Sequence, residues 1–103
     1  MALKILNNPT FVIEAKITVP TDEGMVDQSV TARFRMLPPE DLELTLADFM
    51  TKAVLHIDGI VDDVGGKLDW SDALAARVLK LPYVAMGLWK AYNLAMTGAR
   101  AGN

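Results

Sequence analysis

The residues best suited to chemistry are few. The one histidine, His56, stands near Asp58, Asp62, Asp63 and Asp69. Carboxylates around an imidazole suggest a metal site or an acid–base pair. The spacing fits neither: a calcium loop needs alternating oxygen ligands with a fixed glycine and a terminal glutamate. A zinc or iron site needs a second His or Cys, and the chain has no cysteine. A solvated acidic loop accounts for these residues, and a metal-dependent hydrolase is a reading that metal titration would remove. His56 is expected near the end of a helix, where the dipole favours a cation. Ser71 has no base in a recognisable pattern and reads as a helix cap. Gly65-Gly66 reads as a turn rather than a phosphate loop. Arg33 and Arg35 project from one strand face, where they would neutralise acids on a neighbouring element or subunit. No catalytic, metal or cofactor-binding residue is assigned, and no enzymatic activity is expected.

The elements that position these residues follow from a chain of 103 residues, 51% apolar and 22% charged. That length supports one domain, residues 1–103, with one core. The start, MALKILNNPTF, has no long apolar stretch or cleavage site, so no signal peptide is expected. Apolar runs are too short to cross a bilayer. The absence of cysteine fits a reducing cytoplasm, and a net charge of −3 argues against nucleic-acid binding.

That net charge is unevenly distributed. Residues 1–37 sum to zero, residues 38–72 to −7 and residues 73–103 to +4. Either the acidic middle and the basic end pair within one molecule, or they pair between molecules. The second contact joins two different patches, so it is heterologous and builds rings or open spirals. Arg77 and Lys80 on the basic side, with Asp62 and Asp63 on the acidic side, are the candidates for it.

Phe11, Ile13, Ala15 and Ile17 alternate with Val12, Glu14, Lys16 and Thr18 up to Pro20, and Val30, Ala32, Phe34 and Met36 alternate with Thr31, Arg33 and Arg35. With the turn cluster Thr21-Asp22-Glu23-Gly24 between them, they predict an antiparallel hairpin over about residues 11–36. Pro38-Pro39 then opens a helical part over about residues 39–99. Leu42, Leu46, Phe49, Met50, Ala53, Val54 and Ile57 form one stripe at helical spacing, which predicts a long helix ending by Gly59. Thr45 with Asp48 offers a restart cap within it. After the loop at 58–69, with a short extended piece at Ile60-Val61, Ser71 caps a short helix over Asp72–Leu79. Pro82 begins a last helix to about Gly98. The fold class expected is therefore α+β and mostly helical: a hairpin followed by three or four α-helices.

The last helix is apolar nearly all round, with Lys90 as the only charge from Leu81 to Thr97. Val84, Ala85, Leu88, Ala91, Tyr92, Ala95 and Ala99 cover one face. Tyr83, Met86, Gly87, Trp89, Asn93 and Met96 lie largely on others. A domain this small can hardly bury such a helix completely, so Tyr83, Met86, Trp89, Asn93 and Met96 are the candidate self-association or partner residues. The alternative is that Trp89 and Met86 complete the molecule's own core.

Three stretches carry a family resemblance. They are Thr31-Ala32-Arg33-Phe34-Arg35-Met36-Leu37-Pro38-Pro39-Glu40, Gly59-Ile60-Val61-Asp62-Asp63 through Leu68-Asp69-Trp70-Ser71, and Leu79-Lys80-Leu81-Pro82-Tyr83-Val84 through Ala91-Tyr92 to Thr97-Gly98-Ala99-Arg100. The pattern resembles the tail assembly chaperones of long-tailed bacteriophages: a basic strand, a proline-led acidic helix, an acidic loop closing on an aromatic-Ser pair, and a final helix before a Gly-Ala-Arg tail. Asp72-Ala73-Leu74-Ala75 stands where that family carries a more amide- or leucine-rich helix. The resemblance implies a non-enzymatic protein of the host bacterial cytoplasm that forms homo-oligomeric spirals. It would bind the long helical tape measure protein, recruit major tail tube subunits, and be absent from the virion. Many members occur in two lengths through ribosomal frameshifting, and this chain would be the short one. A structural tail or head–tail connector protein retained in the particle is the alternative.

Overall fold

The computed structural model describes residues 2–98. Two long strands, β1 (Thr10–Thr21) and β2 (Gly24–Arg35), pair antiparallel in continuous register from Thr10↔Arg35 to Thr21↔Gly24. Only Asp22 and Glu23 connect them. Gly24, at φ 117°, supplies the backbone angle that side-chain-bearing residues avoid. Pro20 sits within β1, which is tolerable because β1 is an edge strand. Alternation places Ala15, Ile17, Ala32 and Phe34 on the buried face, with Glu14, Lys16, Arg33 and Arg35 on the open one.

A 3-10 turn (Pro39–Glu43) leads to α1 (Leu46–Ala53). Thr45 caps α1, its hydroxyl accepting from the Asp48 amide at 3.2 Å. Lys52 of α1 binds Asp41 of the 3-10 turn at 2.8 Å. The chain then passes directly into β3 (Val54–Asp58), which pairs antiparallel with β2 and completes a three-stranded sheet of order β1-β2-β3.

β3 overturns the expected long helix and, with it, the mostly helical fold class. Helix and strand hold nearly equal shares of the described residues, about 36% and 32%. The cause is an irregularity in the ladder. Arg33 pairs with His56 and Phe34 with Val54, so Leu55 has no partner of its own. That bulge resets the alternation and turns both Val54 and Ile57 into the core. Two core residues three positions apart are also what a helix presents, so the stripe from Leu46 continues across a change of secondary structure. His56 accordingly lies on a strand's exposed face, not at a helix end.

A loop with an isolated bridge, Val61↔Lys67, leads to α2 (Asp72–Val78), whose cap Ser71 accepts from the Leu74 amide at 3.1 Å. Pro82 occupies the first turn of α3 (Pro82–Met96), which lies across β1. The contact is closest at Gly87: a Cβ there would fall 2.6 Å from Ile17 Cδ1 and 2.7 Å from the Lys16 carbonyl oxygen. Gly87 is therefore a packing residue, against the expectation that it faces outward. Ala99 and Arg100, expected at the end of this helix and in its basic tail, lie outside the described residues.

The core lies between the sheet and helices α1 and α3. The molecule measures 49 × 32 × 26 Å. Its length is set by strands of twelve residues, each about 40 Å long at about 3.3 Å per residue.

Candidate interaction surfaces

The core is closed by aromatic rings at one end. Phe34 packs against Phe11 and Tyr92, with centroids 5.3 and 5.6 Å away. Phe49 meets both Tyr92 and Trp89 edge-on at 5.1 Å. Trp89 also stacks on Tyr92. The Tyr92 hydroxyl accepts from the Leu37 amide at 3.0 Å, pinning the chain just beyond β2 to α3. Trp89 is thus half-buried in the molecule's own core, while Tyr92 is buried with its polar tip satisfied.

The outward side of α3 is different. Met86, Leu94 and Met96 are 48%, 42% and 43% exposed. Asn93 is half-buried and turns its side-chain amide back onto the Trp89 carbonyl at 2.8 Å. Trp89, Lys90, Asn93, Leu94 and Thr97 line a shallow dent on this side.

Tyr83 belongs to a second surface. Where α3 begins, the sheet, the loop after β3 and helix α2 enclose an open groove of about 680 Å³. Ile17 and Val19 of β1 and Val30 of β2 line its sheet side. Ile60, Leu68, Val78, Leu81 and Tyr83 continue the lining across the loop and helices. Asp62, Asp63 and Arg77 also line it, so four of the residues singled out by sequence meet here. Lys80 is exposed outside this lining.

These acids are unequal. The Asp62 carboxylate accepts from the Val64 and Gly66 amides at 3.0 and 2.7 Å, so it holds its own turn together. A Cβ at Gly66 would meet that carboxylate at 2.7 Å. Asp63 makes no ion pair among the described residues, and neither do Arg77 and Lys80. The described ion pairs join Lys16 to Asp27, Lys52 to Asp41 and His56 to Asp58. None of these pairs connects the acidic middle to the basic end, although Asp62, Asp63 and Arg77 line the same groove of one molecule. Arg33 turns to the Thr10 hydroxyl at 3.3 Å rather than to an acid.

Two features escape the sequence reading. The apolar groove draws on β1, β2, β3, α2, α3 and a loop, which no local period brings together. The other is the segment before β1, where Leu3, Ile5 and Leu6 are 87%, 80% and 55% exposed. Its run of apolar residues is visible in the sequence, but it is too short to mark a helix or a strand.

The fold and surfaces define a small α+β protein with a three-stranded antiparallel sheet, one face covered by helices, and two apolar surfaces open to solvent. No family model, curated protein or solved structure matches the chain.

Proposed function

We propose that this protein is an assembly chaperone that associates with itself head to tail and holds a long helical client in solution. The observation that carries the reading is the outward side of α3, where Met86, Leu94 and Met96 are exposed and Lys90 is the helix's only charge. An amphipathic client helix docks on such a surface through apolar residues three and four apart. Methionine suits the task because its unbranched, polarisable chain adapts to irregular partners. Among the described residues no ion pair joins the acidic middle to the basic end, which leaves both regions available for assembly through unlike patches. Each copy adds little affinity, and many copies on one long client gain by multivalency.

The family resemblance supplies the particular client, the tape measure protein of a bacteriophage tail, with major tail tube subunits recruited later. The site of action is then the host bacterial cytoplasm during virus assembly, and the work is holding rather than catalysis. Co-expression tests the reading. Tape measure protein is expected to move from the insoluble to the soluble fraction with the wild-type chain and to remain insoluble with Met86→Asp/Met96→Asp. Retention of this chain in purified particles at the level of a structural subunit would overturn the assembly role in favour of a tail or connector component.

A further inference from the structure

We infer that the groove receives the N-terminal arm of a second copy of this chain, laid along the unpaired edge of β2. The inference rests on head-to-tail association as proposed above and names the contact that builds it.

The groove has a backbone side as well as an apolar one. β3 pairs with β2 only from Thr31 to Phe34. From Gly24 to Val30, β2 has β1 on one side and no strand on the other among the described residues. Gln28, Ser29 and Val30 of this open edge line the groove. The chain leaves the edge at Gly59, whose φ of 102° turns it away after β3. An extended segment can therefore continue the sheet where β3 stops and drop alternate side chains onto the apolar lining.

The arm has the matching character. Residues 2–8 are all exposed and belong to no helix or strand. Asn8, at φ 53°, and Pro9 separate them from β1. In an extended chain Leu3 and Ile5 point the same way, with Lys4 and Leu6 opposite. Lys4 gives the arm a positive charge, and Asp63 at the groove makes no ion pair among the described residues.

Reach decides between the molecule's own groove and another's. Ile17 lies seven residues along β1 from Thr10, about 23 Å at about 3.3 Å per residue. Leu6 and Ile5 precede Thr10 by four and five residues and can lie at most about 14 and 18 Å from it. Leu3, seven residues before Thr10, spans at most about 25 Å. A molecule's own arm therefore brings Leu3 level with Ile17 only when fully stretched and leaves Ile5 short of it, whereas the arm of another copy can lay Leu3 and Ile5 along the open edge together. Arm and groove are different patches near opposite ends of β1, so repetition of this contact is heterologous and builds rings or open spirals.

Two full-length variants test the contact, both altered at exposed positions. Leu3→Ser/Ile5→Ser/Leu6→Ser removes the arm's apolar side chains. Val61→Glu/Leu81→Glu places charge in the groove. Sedimentation at matched concentration is expected to show oligomers for the wild type and a monomer for each variant. An equimolar mixture of the variants should give a 1:1 pair that grows no further, because one good arm and one good groove remain. Circular dichroism of each variant checks its folding, and a synthetic peptide of residues 1–9 should bind the arm variant at least tenfold more tightly than the groove variant. Wild-type oligomer mass in the arm variant, no pair in the mixture, or equal peptide binding would overturn the arm contact. If the arm variant is monomeric yet still solubilises tape measure protein, the arm contact survives and head-to-tail assembly is separated from client holding. If the groove variant alone loses client solubilisation while the arm variant keeps wild-type mass, the groove belongs to the client and the inference fails.

Discussion

The two ends of the helix-covered sheet face differ in how they are finished. At one end Phe11, Phe34, Phe49, Trp89 and Tyr92 interlock, and the Tyr92 hydroxyl ties α3 to the chain after β2. At the other, the aliphatic residues Ile17, Val30, Val78 and Leu81, with Tyr83 as the one ring of the lining, surround an opening. Asp62, Asp63 and Arg77 border the opening, but the residues packed between sheet and helices are apolar at both ends, so their hydropathy does not distinguish the two. Side-chain volume does: large rings fill the space between sheet and helix, whereas branched aliphatics of the same polarity leave room. The sealed end is built for stability, and the open end keeps apolar surface available to another chain.

Substitutions can break or sharpen this contrast. Phe34→Ala removes a fully buried ring from the sealed end and should lower unfolding free energy by about 3–5 kcal/mol, read by urea denaturation. A loss below about 1 kcal/mol would mean that the aromatic end is not the stabilising one. Gly87→Ala lies between the two ends. Its methyl group would press on Ile17 and on the immovable carbonyl of Lys16, so overpacking should outweigh better helix propensity and cost about 1–3 kcal/mol. Tyr92→Phe keeps the ring but leaves the Leu37 amide without its acceptor, and a loss of about 1 kcal/mol is expected in the same assay. At the open end, Val61→Ser should shift stability by no more than about 0.5 kcal/mol, because Val61 is already 55% exposed. A large effect there would show that the groove is part of the monomer's core.

Much of the fold is legible where a local rule decides it. Strict alternation gives the hairpin, Pro82 gives the start of α3, and Thr45 and Ser71 give two helix starts through their capping hydroxyls. β3 is not legible in the same way. One unpaired residue, Leu55, makes a strand imitate helical spacing, and only the pairing partner on β2 reveals the difference. Gly87 is hidden for a related reason: its role depends on how closely β1 approaches, a distance that no helical wheel contains. Of the candidate interaction residues, Met86 and Met96 emerge from the wheel as exposed, while Trp89 is drawn inward by Phe49 and Tyr92. The groove is the least legible surface, since it exists only after six separate segments converge.

The junction of α1 and β3 has a mechanical consequence. No linker residue separates Ala53 from Val54, and the Val54 amide still donates to the Met50 carbonyl as the chain enters the sheet. With no slack between them, a tug on the strand is transmitted to the last turn of the helix. The two therefore open as one cooperative unit, and those backbone amides between Met50 and Ile57 that are hydrogen-bonded within the helix or to β2 should exchange with solvent deuterium at a common rate.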